Sequence, residues 1–300
     1  MTDFESVVLR DPSSSLTATY VPAAGMICTS LADDGTEFLG QRRGLQAYVS
    51  DGKTKGIPLL YPWANRLGDT TYTVDGAVVT VTPGVNGVRA DANGLPIHGV
   101  LAANSGWLVT EQTDNSLVAS LDWGGEPRLL ATFPFPHVLT MSVTLAERTL
   151  RVATTVRPTT AAAVPLCFGY HPYFQLPDVP RAQWLVALPT MRCVIPDERG
   201  IPIGRGGELP SSETNLDTHE MDDGFDHVPD GAQFTLFHRD RRVQITFEQG
   251  YHAAQVFAPR NDALIAFEPM AAPTDALRQG GYPVATPGHP VTSTFSITVG

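Results

Sequence analysis

The sequence predicts an all-β chain, mostly antiparallel and with few short helices, and three features carry that prediction. Short runs rich in Val, Thr, Ile and aromatic residues recur between turn residues along almost the whole length. No stretch beyond about ten residues places apolar side chains at i, i+3, i+4 and i+7. Gly and Pro are abundant, at 27 and 25 residues, and Pro interrupts most helical candidates because it lacks the amide proton that a helix interior needs.

The clearest element is a hairpin. Thr71-Tyr72-Thr73-Val74 and Ala77-Val78-Val79-Thr80-Val81-Thr82 flank Asp75-Gly76, a pair suited to the type I′ turn because both central residues need positive φ. By the same alternation, strands are expected at 16–21, 26–31, 106–111, 116–123, 138–145, 150–157, 192–195, 233–238, 241–247, 263–268 and 291–299. One short helix is expected at 274–279, with Thr274 as its N-cap. Residues 196–231 are the one long polar stretch, and a loop of that length in a compact domain tends to be functional or mobile. Strands without intervening helices point to a sandwich or barrel. With no linker or internal repeat, residues 1–300 are expected to form one domain.

Composition narrows the function. A chain of 300 residues with 42% hydrophobic content can bury a sizeable core. No window nears the roughly 18 uninterrupted apolar residues of a spanning helix, and Met1-Thr2-Asp3-Phe4-Glu5 is too acidic for a signal peptide. A soluble, cytoplasmic protein with no membrane partner is expected. The net charge of −11 repels phosphate backbones and argues against nucleic acid. Cys28, Cys167 and Cys193 are odd in number and form no CxxC pair, which fits neither a disulfide framework nor a structural zinc site. There is no Walker A pattern, no G-x-S-x-G and no H-E-x-x-H, and Gly204-Arg205-Gly206-Gly207 lacks a strand-to-helix context. Neither a cofactor nor a metal is indicated.

What remains is a set of polar residues in apolar or rigid settings. Glu268 ends an apolar run and precedes Pro269, which biases it to extended backbone. It is either a rim carboxylate in a salt bridge or a base whose pKa burial raises towards neutrality. His171, in Phe168-Gly169-Tyr170-His171-Pro172-Tyr173-Phe174, is either a satisfied core histidine or an imidazole beside aromatic faces suited to a sugar. His98, between Pro96-Ile97 and Gly99, marks a turn where backbone can approach a ligand closely. Asn65-Arg66 follows an apolar segment from which the guanidinium fork either forms a structural ion pair or reaches a ligand. Asp226 and His227 fall in the long polar stretch, as a solvated turn or as ligand contacts. Tight metal-ligand spacing is missing from this His/Asp set.

In order, Pro62-Trp63-Ala64-Asn65-Arg66-Leu67, Ile97-His98-Gly99, Gly169-Tyr170-His171-Pro172-Tyr173-Phe174, Gly224-Phe225-Asp226-His227 and Phe267-Glu268-Pro269 resemble the aldose 1-epimerase (mutarotase) family. The resemblance runs from about residue 25 to the C-terminus. It implies a galactose mutarotase-like β-supersandwich and interconversion of sugar anomers without a cofactor. It implies that Glu268 is the base, that His171 is the acid and that His98 bonds near the ring oxygen or the C1 hydroxyl. Arg66, Asp226 and Gln255 would hold other hydroxyls, with Asn65 supporting Arg66, and Trp63, Tyr170 and Tyr173 would line the pocket. The partner implied is a small-molecule sugar, acted on by a monomer or homodimer.

Two departures from galactose mutarotases bear on the substrate: Tyr61-Pro62-Trp63 leads into the Asn-Arg pair, and Val100 follows Gly99. A hexose-6-phosphate 1-epimerase is the nearest alternative, with Arg42, Arg43, Lys53, Lys55 and Arg89 as candidates for the phosphate. A carbohydrate-binding module without turnover is a second alternative, and a metal enzyme using His98, His171 and His227 a third.

Overall fold

The structure, a computed structural model, describes residues 4–74 and 76–300. Alternation builds its larger sheet. In His137–Ala146 every second side chain from His137 to Leu145 is buried, and in Thr149–Pro158 every second one from Leu150 to Pro158. Their register pairs Leu139 with Val156 and Val143 with Val152, so both buried sets share one face. The nine strands run in the order Leu108–Gln112, Ser116–Asp122, His137–Ala146, Thr149–Pro158, Val291–Val299, Arg241–Gln249, Ala232–His238, Leu185–Leu188 and Ser212–Asn215.

A second large sheet runs Pro202–Leu209, Met191–Pro196, Met221–Asp226, Ala253–Ala258, Ile265–Met270, Gly169–Tyr170 and Leu59–Leu60, and Tyr173–Phe174 also pairs with Ile265–Met270. Its ladders are antiparallel. Side chains of the two sheets interlock. Phe267 packs on Phe234 with ring centroids 5.7 Å apart, and Tyr170 meets Phe295 edge-on at 4.9 Å. Each buried phenyl ring of this kind contributes about 1.5–3 kcal/mol. Because neighbours in a strand alternate, Glu268, Gln255, Gly224 and Asp226 lie on the opposite, outer face. The candidate site is built there.

Most expected strands are present, with Leu16–Val21 and Val291–Val299 matching their expected bounds. The hairpin forms between Thr71–Val74 and Ala77–Thr80. Asp75 of its expected turn, and Met1, Thr2 and Asp3 of the N-terminal reading, lie outside the described residues. The 196–231 stretch is not the long loop expected. It holds Pro202–Leu209, Ser212–Asn215 and Met221–Asp226; the first two are exposed along most of their length, so no apolar alternation betrays them. An unexpected helix, Gly44–Asp51, buries only Tyr48 and so carries little periodic signal. The expected C-terminal helix is Ala276–Gln279, and its N-cap is Asp275 rather than Thr274. No helix among the described residues is long and apolar enough to cross a membrane.

Two aromatic residues expected at a sugar site sit in the core instead. Trp63 is 1% exposed and belongs to the main apolar cluster. Tyr170 points between the sheets, where its hydroxyl lies 2.6 Å from Thr154 Oγ1. Replacing it by Phe leaves a buried threonine without that partner, a cost of about 1–3 kcal/mol. Urea unfolding of Tyr170→Phe is expected to show this loss with an unchanged m-value.

Candidate functional site

Register brings the central pair together. Gly169 lies opposite Met270 and Tyr173 opposite Ala266, and the same register continued inward sets His171 opposite Glu268. Pro172 and Pro269 follow these two residues and withhold the amide protons that would close the ladder between them. The strands therefore stay side by side while their hydrogen bonding is interrupted. Glu268 does not end its strand, as expected from sequence; the strand runs on through Pro269 to Met270.

His171 Nε2 lies 3.0 Å from Glu268 Oε1, with the side chains 7% and 2% exposed. The same nitrogen lies 3.1 Å from the Tyr173 hydroxyl, which is 2.5 Å from Thr54 Oγ1. Tyr173 also stacks on the imidazole with centroids 4.2 Å apart. Tyr173 thus meets the imidazole face, and Phe257 meets the ring edge-on with centroids 5.9 Å apart. Burial raises the Glu268 pKa well above the ordinary carboxylate value; Asp222 adds to the rise and Arg66 opposes it. Burial lowers that of His171, with His98 and Arg42 adding to the fall. Both shifts favour the neutral acid beside a neutral imidazole over the ion pair.

His98 approaches from a different segment. Its ring meets that of His171 edge-on at 5.6 Å. His98 and Gly99 both take left-handed backbone, with φ of 60° and 65°. A Cβ on Gly99 would lie 2.0 Å from the Tyr61 carbonyl oxygen. The close approach expected at this glycine is thus to the protein's own backbone, not to a ligand. His98 N–H donates to the Asn65 carbonyl at 2.8 Å, which ties the histidine turn to the Asn-Arg pair. Burial lowers the His98 pKa to about 3, with Arg66 and Arg89 adding to the fall and Asp91 opposing it.

Arg66 is held from two sides. Its Nε donates to Asp91 Oδ2 at 2.8 Å and its Nη1 to Asn65 Oδ1 at 3.0 Å. Asn65 is buried and supports Arg66 as expected. Arg66, Gln255, Asp222 and Gly224 line a small cavity of about 40 Å³. Gln255 pairs with Glu268 across the ladder and donates to Asp222 Oδ1 at 2.6 Å.

Asp226 departs from its expected role. Its carboxylate is gripped by Arg192, at 2.7 and 2.9 Å, and by Arg205 at 2.6 Å, and it lines another cavity with His227. Asp222 is the acid beside Gln255, and sequence reading missed it. The two aspartates share a face four residues apart, so periodicity cannot choose between them; only register can. His227 is likewise not brought to His98 and His171, and among the described residues no three His, Cys, Asp or Glu side chains converge as metal ligands.

Three atoms of this site are buried without a hydrogen-bond partner: His98 Nδ1, His171 Nδ1 and Glu268 Oε2. Buried polar atoms are normally satisfied, so these three retain unused hydrogen-bonding capacity. A carboxyl group and two imidazoles in this arrangement can donate and accept protons and directional hydrogen bonds.

Comparison with known proteins bears on the family and the fold. The family model for aldose 1-epimerase matches residues 8–298. A galactose mutarotase-like protein from Clostridium acetobutylicum superposes with a TM-score of 0.82 at 15% identity, covering 99% of both chains. The GalM/aldose epimerase homologue from C. elegans gives 0.78 at 17%, again over 99% of each. A Synechocystis protein gives 0.79 at 21%, over 99% of this chain and 96% of its own. At these identities the superpositions establish the galactose mutarotase-like fold.

A histidine with a depressed pKa stays neutral in the folded chain while the unfolded chain takes up a proton, so stability falls as pH drops below about 6.5 towards the folded value. Each such histidine adds a slope of at most about 1.4 kcal/mol per pH unit. Urea titrations at pH 7 and pH 5 are expected to show a shallower acid loss for His98→Gln than for the parent.

Proposed function

The chain belongs to the aldose 1-epimerase family, and from that premise we propose that it is an isomerase interconverting the α and β anomers of a free hexose. The observation that supports this most is the buried Glu268–His171 pair at 3.0 Å. Mutarotation needs one proton to leave an oxygen while another arrives at a second oxygen, and a positioned acid–base pair contributes about 10²–10⁴ per group.

Glu268 takes the proton of the anomeric hydroxyl as its O–H electrons form the C1 carbonyl. The C1 to ring-oxygen bond breaks, and its electrons take a proton from His171, which reacts in the less populated form of the pair, with the shared proton on the imidazole and Glu268 ionised. The open aldehyde turns about C1–C2, and the reverse transfers close either anomer. Opening leaves a neutral acid beside a neutral imidazole, which is the charge state that burial favours. His98 and Arg66 direct the sugar, Asn65 and Asp91 hold Arg66, and Gln255 and Asp222 contact the remaining hydroxyls.

A second reading, epimerisation of a hexose phosphate, draws on another feature. Both lysines of the chain, Lys53 and Lys55, lie in one short segment. Lys53 lines a cavity of about 220 Å³ with Arg42, Arg43 and Thr54, and an adjoining one of about 100 Å³ that also takes in Arg89 and His98. Gly52, at φ 70°, lets Arg89 pack there, since a Cβ would fall 2.2 Å from its guanidinium. Lys55 is buried and lines neither cavity.

Polarimetric relaxation of fresh α-D-glucose and α-D-galactose is expected to accelerate with the EDTA-treated chain. Glu268→Gln and His171→Asn should each lower kcat by roughly 10² or more; near-normal turnover in either would remove its assigned role. Arg66→Ala is expected to raise KM by about tenfold or more through loss of a charge-assisted contact. A higher kcat/KM for glucose 6-phosphate than for glucose would move the assignment to the phosphorylated substrate. Sugar affinity without any anomer exchange would make the chain a binding module.

A further inference from the structure

A cavity of about 460 Å³ has neither Glu268 nor His171 in its wall. Arg192, Arg205, Asp226, His227 and His252 contribute to its wall. It lies beside the small Arg66–Gln255 cavity, and Thr274 lines both. The strands shared by the two cavities explain the spacing. Asp222 and Gly224 line the small one and Asp226 the large one, while on the next strand Val194 lines the small one and Arg192 the large one. Two residues along a strand cover about 7 Å, a displacement on the order of one pyranose ring.

The charge arrangement at this wall is specific. Asp226 sits deep, with its side chain 8% exposed, while Arg192 and Arg205 are 31% and 35% exposed. Arg192 spends Nε and Nη2 on Asp226; Arg205 spends Nε there and Nη1 on the Gly204 carbonyl. One guanidinium nitrogen of each, Nη1 of Arg192 and Nη2 of Arg205, is left uncommitted by these bonds. One carboxylate between two guanidinium groups leaves a net positive charge, in a chain whose total charge is −11. The buried acid fixes the planes of both cations, an arrangement suited to planar, charge-assisted recognition of an anion. The volume lies in the range of ligand-sized cavities and exceeds what a lone inorganic anion requires.

We propose that this cavity is an extension subsite that takes the carboxylate of a uronic acid unit on a sugar chain whose reducing end occupies the Glu268–His171 site. The proposal rests on the sugar-binding reading of that site. The substrate class is then an acidic oligosaccharide with a free reducing end, and the epimerase stands after a reaction that releases such ends.

The test is calorimetric titration of the full chain at low salt with a β-1,4-linked glucuronosyl-glucose and with cellobiose, which share the reducing glucose unit. The acidic disaccharide is expected to bind at least tenfold more tightly. That preference should shrink in 0.5 M NaCl, and it should fall below about threefold in Arg205→Met, where Arg192 still holds Asp226. Equal affinities for the two disaccharides, or a preference unchanged by both salt and Arg205→Met, would overturn the proposal. Should Arg205→Met fail to fold, the salt dependence of the parent decides alone. Polarimetry separates the underlying reading: if no sugar relaxes faster than in buffer while the acidic preference persists, the subsite stands and the isomerase assignment falls. Binding of neither disaccharide overturns the subsite, and anomer exchange of glucose in that case leaves the isomerase assignment intact.

Discussion

The constraint on which the site depends is the burial of a carboxyl group directly against an imidazole at an interruption in an antiparallel ladder. Ordinary strand pairing places His171 and Glu268 opposite each other without any loop having to position them. Two prolines then keep the intervening backbone from closing its hydrogen bonds. A carboxylate alone in such surroundings would be costly to charge. Its neighbour removes that difficulty, because the proton can sit on either partner across 3.0 Å.

Around this pair the polar groups are fixed in layers. Arg66 is oriented by Asn65 and Asp91. His98 is oriented by a left-handed turn that only a glycine can follow, given the approach of Tyr61. Tyr173 stacks on His171 and is itself held by Thr54. Fixing side chains before a ligand arrives reduces the ordering cost of binding and of the reaction that follows.

The sheets were legible because their strands alternate strictly, as in 137–146 and 149–158, where one face is core and the other is not. The ends were less so: Ile265–Met270 runs past a proline, against the usual reading of that residue. Pro202–Leu209 was illegible because a strand exposed on both faces has nothing apolar to repeat. Glu268, His171, His98 and Arg66 converge as the motifs imply. Trp63 and Tyr170 do not, since an aromatic residue in an apolar run is equally suited to core and to pocket. Asp222 and Asp226 are the instructive case. Their side chains have the same type and the same face, and only pairing with Gln255 in one instance and with Arg192 in the other tells them apart.

The walls of the outer cavities come from the periphery: the segment around residues 42–54 on one side, and Met191–Pro196 with Pro202–Leu209 at a sheet edge on the other. The Glu268–His171 pair comes from the interior of the same sheet. Exposed positions tolerate substitution within about 0.5 kcal/mol, whereas buried paired charges do not. Inheritance can therefore rewrite what the molecule accepts while leaving how it reacts untouched. A lineage built on this frame can diversify its diet by drift at the rim, without passing through unstable ancestors.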